Sequence, residues 1–157
     1  MPDENLQFKP RHELLSFEEI QRLVGIVAPR GIKKLRITGG EPLVRAGLPE
    51  LIRQLSGTSG IEDIALTTNG ILLADQAQQL KDAGLNRVNI SLDTLREETF
   101  QRIARRPGID KVLAGIDAAI AVEFDKVRLN AIAIRGLTEN EIVPLAEYAR
   151  SRALELR

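Results

Sequence analysis

The sequence contains no cysteine and no tryptophan, and its 157 residues include a single histidine, His12. The absence of cysteine excludes disulfides, thiolate metal ligands and cysteine nucleophiles built from this chain. A Ser-His-Asp triad would have to use His12, but the charged stretch KPRHELL around it favours a solvent-exposed histidine. We therefore predict no catalytic residue and no metal ligand from these residue types.

The chain also lacks an excess of charge of either sign and any long apolar run. Lys and Arg together number 22, as do Asp and Glu, so the formal net charge is zero. This balance argues against a nucleic-acid partner, which requires a basic surplus. No stretch approaches the roughly 18 apolar residues of a membrane-spanning helix, and the polar start MPDENLQF is unlike a secretory signal. We expect a cytoplasmic protein with no membrane partner.

Short apolar segments that alternate with helical patterns are what the sequence does contain. The predicted strands are 33–38, 63–68, 87–92 and 126–134, with a fifth beginning at the terminal ELR. Strands that alternate with helices predict βαβ units and a parallel sheet. The prediction is an α/β fold of four to five parallel strands, apolar on both faces because helices would cover them.

Helix boundaries can be read at two places. Ser16 and Glu19 have the spacing of a capping box, which predicts a helix from Phe17 that Pro29 and Gly31 close. Thr138 and Glu141 have the same spacing before a predicted last helix at 139–152. Pro144 would lie too deep in that register, which leaves a later start open.

Small polar groups follow three successive strands. The segments are TGGEP (38–42), TTNG (67–70) and SLD (91–93). In both barrels and doubly wound sheets, ligands bind at the carboxyl ends of parallel strands. Any one of these segments could be an ordinary loop or helix cap, but three in succession favour a ligand-binding rim.

The glycine turn matches neither a Walker A loop nor a dinucleotide fingerprint. Glu41 directly follows Gly39 and Gly40 and would repel phosphate, so it suits a cationic amino-acid head group better. The alternative is a helix-entry turn, with Pro42 near the first helical position. Arg36 and Arg128 lie inside predicted strands. Facing inward they could hold a triphosphate, and facing outward they would extend between helices.

Six segments occur in this order along the chain: ELLSFEEI, KKLRITGGEPLVR, IEDIALTTNGILL, LKDAGLNRVNISLDTL, VLAGIDAAI and VRLNAIAIRGL. Together they resemble the MoaA family of radical S-adenosylmethionine (SAM) enzymes. The resemblance implies a partial TIM barrel and a lyase activity, the GTP 3′,8-cyclase step that makes a cyclic pterin precursor in molybdenum cofactor biosynthesis. It further implies SAM and [4Fe–4S] clusters as cofactors and GTP as substrate.

The resemblance also implies roles for individual residues. SAM would contact Gly39, Gly40, Glu41 and Ser91. GTP would contact Arg36, Thr67 and Arg128. At position 128 the family usually has lysine, and an arginine keeps the charge but replaces a point charge with a planar fork.

The cluster motif of the family, three cysteines, has no counterpart in this sequence. We therefore expect residues 1–157 to form a partial radical SAM core domain. It would lack the N-terminal cluster-binding segment and the C-terminal second-cluster domain, and would be inactive as an isolated chain. The alternative is a non-catalytic remnant that binds SAM, a nucleotide or a partner. A homodimer and a complementing chain are both open as assemblies.

Overall fold

The computed structural model describes residues 13–157, so the prediction for His12 lies outside the described residues. Within this range one parallel sheet has the order β1-β2-β3-β4-β5. Its strands are β1 Lys34–Ile37, β2 Asp63–Thr68, β3 Arg87–Ser91, β4 Lys126–Asn130 and β5 Glu155–Leu156. The predicted α/β fold with parallel strands is confirmed, including the strand at ELR.

The helices lie on one face of the sheet, because right-handed crossovers between sequential strands place them there. They are α1 Phe17–Val27, α2 Leu48–Ser56, α3 Leu73–Asp82, α4 Glu97–Ala104, α5 Ile109–Ala121 and α6 Ile142–Ser151. Every second strand residue, such as Leu66, Val88 and Leu129, joins helix residues in a buried core. No helix within residues 13–157 is long and apolar enough to cross a membrane.

The capping box of α1 forms as predicted. The Ser16 hydroxyl accepts from the Glu19 amide at 3.2 Å, and the Glu19 carboxylate accepts from the Ser16 amide at 2.8 Å. At the other end the chain passes into a 3₁₀ turn, Ala28–Arg30, and Gly31 stops it at a φ of 94°. That φ lies in the left-handed region that glycine adopts without strain.

Strand β4 is shorter than predicted and ends at Asn130 rather than at residue 134. The Ile132 amide donates to the Asp93 carboxylate at 2.8 Å instead of to a strand neighbour. Further on, the Thr138 hydroxyl donates to the Ile132 carbonyl and accepts from the Ile134 amide. Side chains from other parts of the chain thus replace the ladder and turn the backbone out of the sheet.

The capping box at Thr138 and Glu141 does not form, and the later helix start that Pro144 left open is the one observed. Residues Glu139–Glu141 form a 3₁₀ turn, and α6 begins afterwards, so Pro144 falls within its first turn. The buried Glu141 carboxylate instead accepts from the Leu95 amide at 3.2 Å and from the Arg96 guanidinium. Burial opposes the ionised form, but these donors outweigh it and hold the pKa of Glu141 below its usual value. Glu141 therefore ties the segment after β3 to the start of α6.

The expectation that the strands are apolar on both faces is also wrong. Among the described residues no helix packs on the second face of the sheet, so its side chains need not be apolar. We call it the polar face. It carries the alternate strand residues Lys34, Arg36, Asp63, Ala65, Thr67, Arg87, Asn89, Ser91, Lys126, Arg128, Asn130 and Glu155.

Candidate functional site

The turn after β1 exposes bare backbone at the rim of the sheet. Gly39 and Gly40 are both solvent-exposed, and neither has a positive φ. A Cβ built on either residue would meet no atom within 4 Å. Neither packing nor backbone conformation within the described residues therefore requires glycine here. Two exposed glycines leave room for another molecule to approach the backbone closely.

Glu41 braces this turn against the next strand. Its carboxylate accepts from the Thr68 hydroxyl at 2.7 Å, the Asn69 amide at 2.7 Å and the Leu43 amide at 3.0 Å. A carboxylate can accept about four hydrogen bonds, so one site remains for a cationic ligand group. The contact with Leu43 also caps the 3₁₀ turn that starts at Pro42. The two interpretations of Glu41, turn residue and ligand contact, are thus compatible.

Thr67 and Ser91 occupy the polar face where β2 and β3 end. Thr67 is paired in register with Asn89, and Ser91 with Asn130. No hydrogen bond from another described residue reaches either hydroxyl, and Ser91 is exposed. Ser91 also lines a small cavity of about 120 Å³ that Phe100 and Arg106 help to enclose beneath α4. Both hydroxyl groups are available to a ligand that lies across the strand ends.

The two predicted arginines both lie on the polar face, but their surroundings differ. Arg36 is exposed on β1, and no hydrogen bond or ion pair connects its side chain to the described residues. Arg128 on β4 has a side chain only 7% exposed. Its guanidinium donates to both carboxylate oxygens of Glu155, at 2.8 and 3.0 Å, and to the Asn89 side-chain oxygen at 3.1 Å. The anion that meets Arg128 in this structure is therefore Glu155.

The polar face is basic although the whole chain is neutral. Its strand residues include five cationic side chains and two carboxylates, an excess of three positive charges. The basic residues are Lys34, Arg36, Arg87, Lys126 and Arg128. Asp63 pairs with Arg87, and Glu155 pairs with Lys126 and Arg128. Arg128 and then Lys126 lower the pKa of Glu155 to about 2, so it is ionised at neutral pH. The excess of positive charge suits an anionic ligand.

Sequence reasoning missed Glu155, Asn89 and most of the basic residues of this face. The signal was present as strict alternation of polar and apolar residues in KLRI, RVNIS and KVRLN. Such alternation with a period of two is typical of a strand with one uncovered face. Within the described residues, no group of three or more potential metal-binding side chains comes together.

The sequence profile of the Radical SAM superfamily matches residues 3–149. The chain belongs to the radical SAM superfamily. It is 52% identical to the GTP 3′,8-cyclase of Rhodopirellula baltica over all of this chain and 44% of that protein. It is 47% identical to the GTP 3′,8-cyclase of Pelotomaculum thermopropionicum, over all of this chain and 48% of that protein. The chain thus spans about half the length of the curated relatives it matches.

Solved structures support the same fold. HydG, described as a maturase of the [FeFe]-hydrogenase, aligns with a TM-score of 0.72 over 94% of this chain and 35% of its own. Its sequence identity is 19%, so the likeness concerns the fold alone. The sequential order of five parallel strands is that of part of a radical SAM barrel, which confirms the predicted fold class.

Radical SAM enzymes use SAM and a [4Fe–4S] cluster. The residues of this chain fit SAM but not the cluster. Cluster iron is held by cysteine thiolates, and the sequence has no cysteine, so these residues do not fit a cluster. The exposed Gly39-Gly40 backbone beside Glu41 does fit the charged head group of SAM. The structure brings Gly39, Gly40, Glu41, Ser91, Arg36, Thr67 and Arg128 to one rim and face. Their individual ligand contacts stay predictions.

Proposed function

We propose that this chain is the SAM- and GTP-binding part of a radical SAM GTP 3′,8-cyclase in molybdenum cofactor biosynthesis. The observation that carries the proposal is the basic polar face that ends at an exposed glycine turn. Arg36, which has no hydrogen bond or ion pair to any residue of 13–157, lies two residues before Thr38-Gly39-Gly40 on the same strand end. Two relatives that match over the whole chain, both of them GTP 3′,8-cyclases, support the same assignment.

In this proposal the ligands divide between the rim and the face. Gly39, Gly40, Glu41 and Ser91 would contact SAM, the first three at its amino-acid end. Arg36 and Thr67 would contact GTP, with Arg128 at the far side of the triphosphate. Arg36 and Arg128 are three strands apart, or roughly 14 Å at about 4.8 Å per strand. An extended triphosphate that lies across the strands would contact both side chains.

The cluster chemistry needs thiolates that this sequence does not supply. We therefore expect the chain alone to bind its ligands without catalysing the cyclase reaction. Formation of 5′-deoxyadenosine by the purified chain, without added protein, would contradict this. A cytoplasmic location, and assembly as a homodimer or with a complementing chain, stay predictions.

The test of the GTP assignment is isothermal calorimetry with the wild-type chain and the variant Arg36→Gln. Loss of one charge-assisted phosphate contact is worth about 1.5–3 kcal/mol, so the variant should bind GTP at least about tenfold more weakly. Arg53→Gln is the matched control, because Arg53 is an exposed arginine on α2 that pairs with Glu50. Equal affinity of Arg36→Gln and wild type would refute the assignment of Arg36.

A second candidate function is a SAM- or nucleotide-binding protein with no catalytic role in any assembly. The absence of cysteine is the observation that favours it. The two candidates differ when the chain is mixed with a separate protein that carries a reduced [4Fe–4S] cluster. Production of 5′-deoxyadenosine in that mixture, lost in Arg36→Gln when GTP is the substrate, supports the cyclase. Ligand binding without any product supports the second candidate.

A further inference from the structure

Glu155 is the centre of a charge cluster on the polar face. Its carboxylate contacts Arg128 twice, Lys126 at 2.7 Å and Arg157 at 3.2 Å. Three cations thus surround one carboxylate, whose side chain is 33% exposed. The cluster therefore has a net positive charge, and the Glu155 carboxylate at its centre is accessible to solvent.

Arg128 has little capacity left for another partner. A guanidinium has five N–H donors, and the structure shows three of them in use, two to Glu155 and one to Asn89. The edge formed by Nε and Nη2, which would hold a phosphate in bidentate fashion, is the edge that Glu155 occupies. With 7% of its side chain exposed, Arg128 offers an incoming anion little surface, and its bidentate edge becomes free only when Glu155 moves away.

Arg36 lies on the same face but, unlike Arg128, is not occupied by a described carboxylate. It is exposed, and no other described side chain competes for its guanidinium. Among the described residues the polar face therefore offers a polyanion two open cations on β1, Lys34 and Arg36, and an occupied one on β4, Arg128. An anion that reaches across the strands meets a free partner at β1 and a carboxylate competitor at β4.

We propose that Glu155 determines the polyphosphate affinity of the polar face by occupying Arg128 as an internal competitor. The inference rests on the proposed function, because it assumes that the phosphates of the ligand lie on this face. Phosphate binds Arg128 only when the Glu155 carboxylate is displaced, so the wild-type chain binds polyphosphate more weakly than its basic residues would allow.

The experiment measures binding of inorganic tripolyphosphate, and then of GTP, to the full 157-residue chain by calorimetry at low ionic strength. Glu155→Gln removes the competing charge while keeping nearly the same shape, and should bind tripolyphosphate about tenfold more tightly than wild type. Glu62→Gln is the matched control. It also removes a carboxylate from an ion pair, with Lys33, but at exposed residues away from the cluster, and it should leave affinity unchanged.

A double variant shows whether the gain passes through Arg128. In Glu155→Gln combined with Arg128→Met the increase should disappear, which a double-mutant cycle reports directly. A thermal melt checks that each variant folds. Should Glu155→Gln fail to fold, Glu155→Asp keeps the charge but is one methylene shorter, and a smaller gain in affinity is expected from the weaker contact with Arg128.

The possible outcomes separate the inference from the proposed function. Unchanged or weaker binding by Glu155→Gln would overturn the inference, since Glu155 would then orient Arg128 for the ligand rather than compete with it. In that case the loss of GTP binding in Arg36→Gln would still support the proposed function. A gain that survives in the double variant would also overturn the inference. Absence of binding to every chain, wild type included, would refute both.

Discussion

At the residue scale, neither packing nor backbone conformation in the described part of the chain explains the two adjacent glycines Gly39 and Gly40. Most glycines in this protein relieve a positive φ or a close contact, as Gly70 and Gly84 do. Gly39 and Gly40 do neither, and they lie beside a carboxylate that three donors already fix. Stability and ligand binding can therefore be separated by substitution at this turn.

We predict that Gly40→Ala leaves the free energy of unfolding within about 0.5 kcal/mol of wild type while weakening SAM binding at least about tenfold. The added methyl group meets open space in the protein, but it would lie where a ligand must approach the backbone. Urea denaturation and calorimetry with SAM measure the two quantities. The matched control is Gly25→Ala in α1, where a Cβ also meets no atom within 4 Å. Unaltered SAM binding in Gly40→Ala would remove the turn from the binding site.

At the element scale, the rim loops are positioned by helices packed directly on them. A Cβ on Gly115 in α5 would lie 2.5 Å from the Gly70 carbonyl oxygen and 3.1 Å from the Leu73 Cβ. The helix thus touches the backbone of the loop that follows β2. That loop also carries Asn69, whose amide donates to Glu41, so α5 helps to fix the site indirectly.

We predict that Gly115→Ala destabilises the chain by about 1–3 kcal/mol, because backbone atoms on both sides must shift to admit a methyl group. Urea denaturation measures the change. The same substitution at Gly25, exposed in the last turn of α1, should instead stabilise by up to about 0.5–1 kcal/mol through helix propensity. If both variants proved equally stable, the close packing of α5 on the loop would be disproved.

Elements that depend on local periodicity could be predicted from the sequence, and those that depend on distant side chains could not. The capping box of α1 lies within four residues, and β2 was predicted with its observed bounds. The end of β4 depends on Asp93 and Thr138, which lie 39 and 6 residues from Ile132. The later start of α6 was left open by Pro144, but the partner of Glu141, the Leu95 amide, lies 46 residues away and was not predicted. No local pattern contains such information.

In the candidate site, too, local features could be predicted from the sequence and contacts between distant residues could not. The rim segments were found because small polar residues after strands are a local signal. The partner of Arg128 was missed because Glu155 becomes its neighbour only when β4 and β5 pair. The charge of the polar face follows from alternation within each strand, but its excess is visible only when five strands are laid side by side.

At the scale of the whole molecule, the net charge is zero but the charges are unevenly distributed over the surface. The polar face has a positive excess, so the remaining surface carries the compensating negative charge. Binding of an anion to the face should therefore depend on ionic strength even though the net charge is zero, because salt screens charges over about 8–10 Å at physiological concentration.

We predict that the chain loses stability as the pH falls from about 5 towards 2, and that Glu155→Gln reduces this dependence. The pKa of Glu155 is about 2 in the folded chain, below its value of 4.5 for an unperturbed glutamate. A lowered folded pKa gives stability that is present above pH 4.5 and lost as the carboxylate protonates. Urea midpoints measured between pH 2 and 7 test this. An identical pH dependence in wild type and Glu155→Gln would contradict it.

The order of the sheet has a consequence for synthesis. Each strand joins the edge left by the one before it, so the sheet can grow as the chain leaves the ribosome. Arg87 arrives to find Asp63 already in place on the neighbouring strand, whereas Arg128 arrives 27 residues before Glu155. Until β5 pairs with β4, Arg128 therefore lacks the Glu155 carboxylate, and that pairing is the step that supplies it.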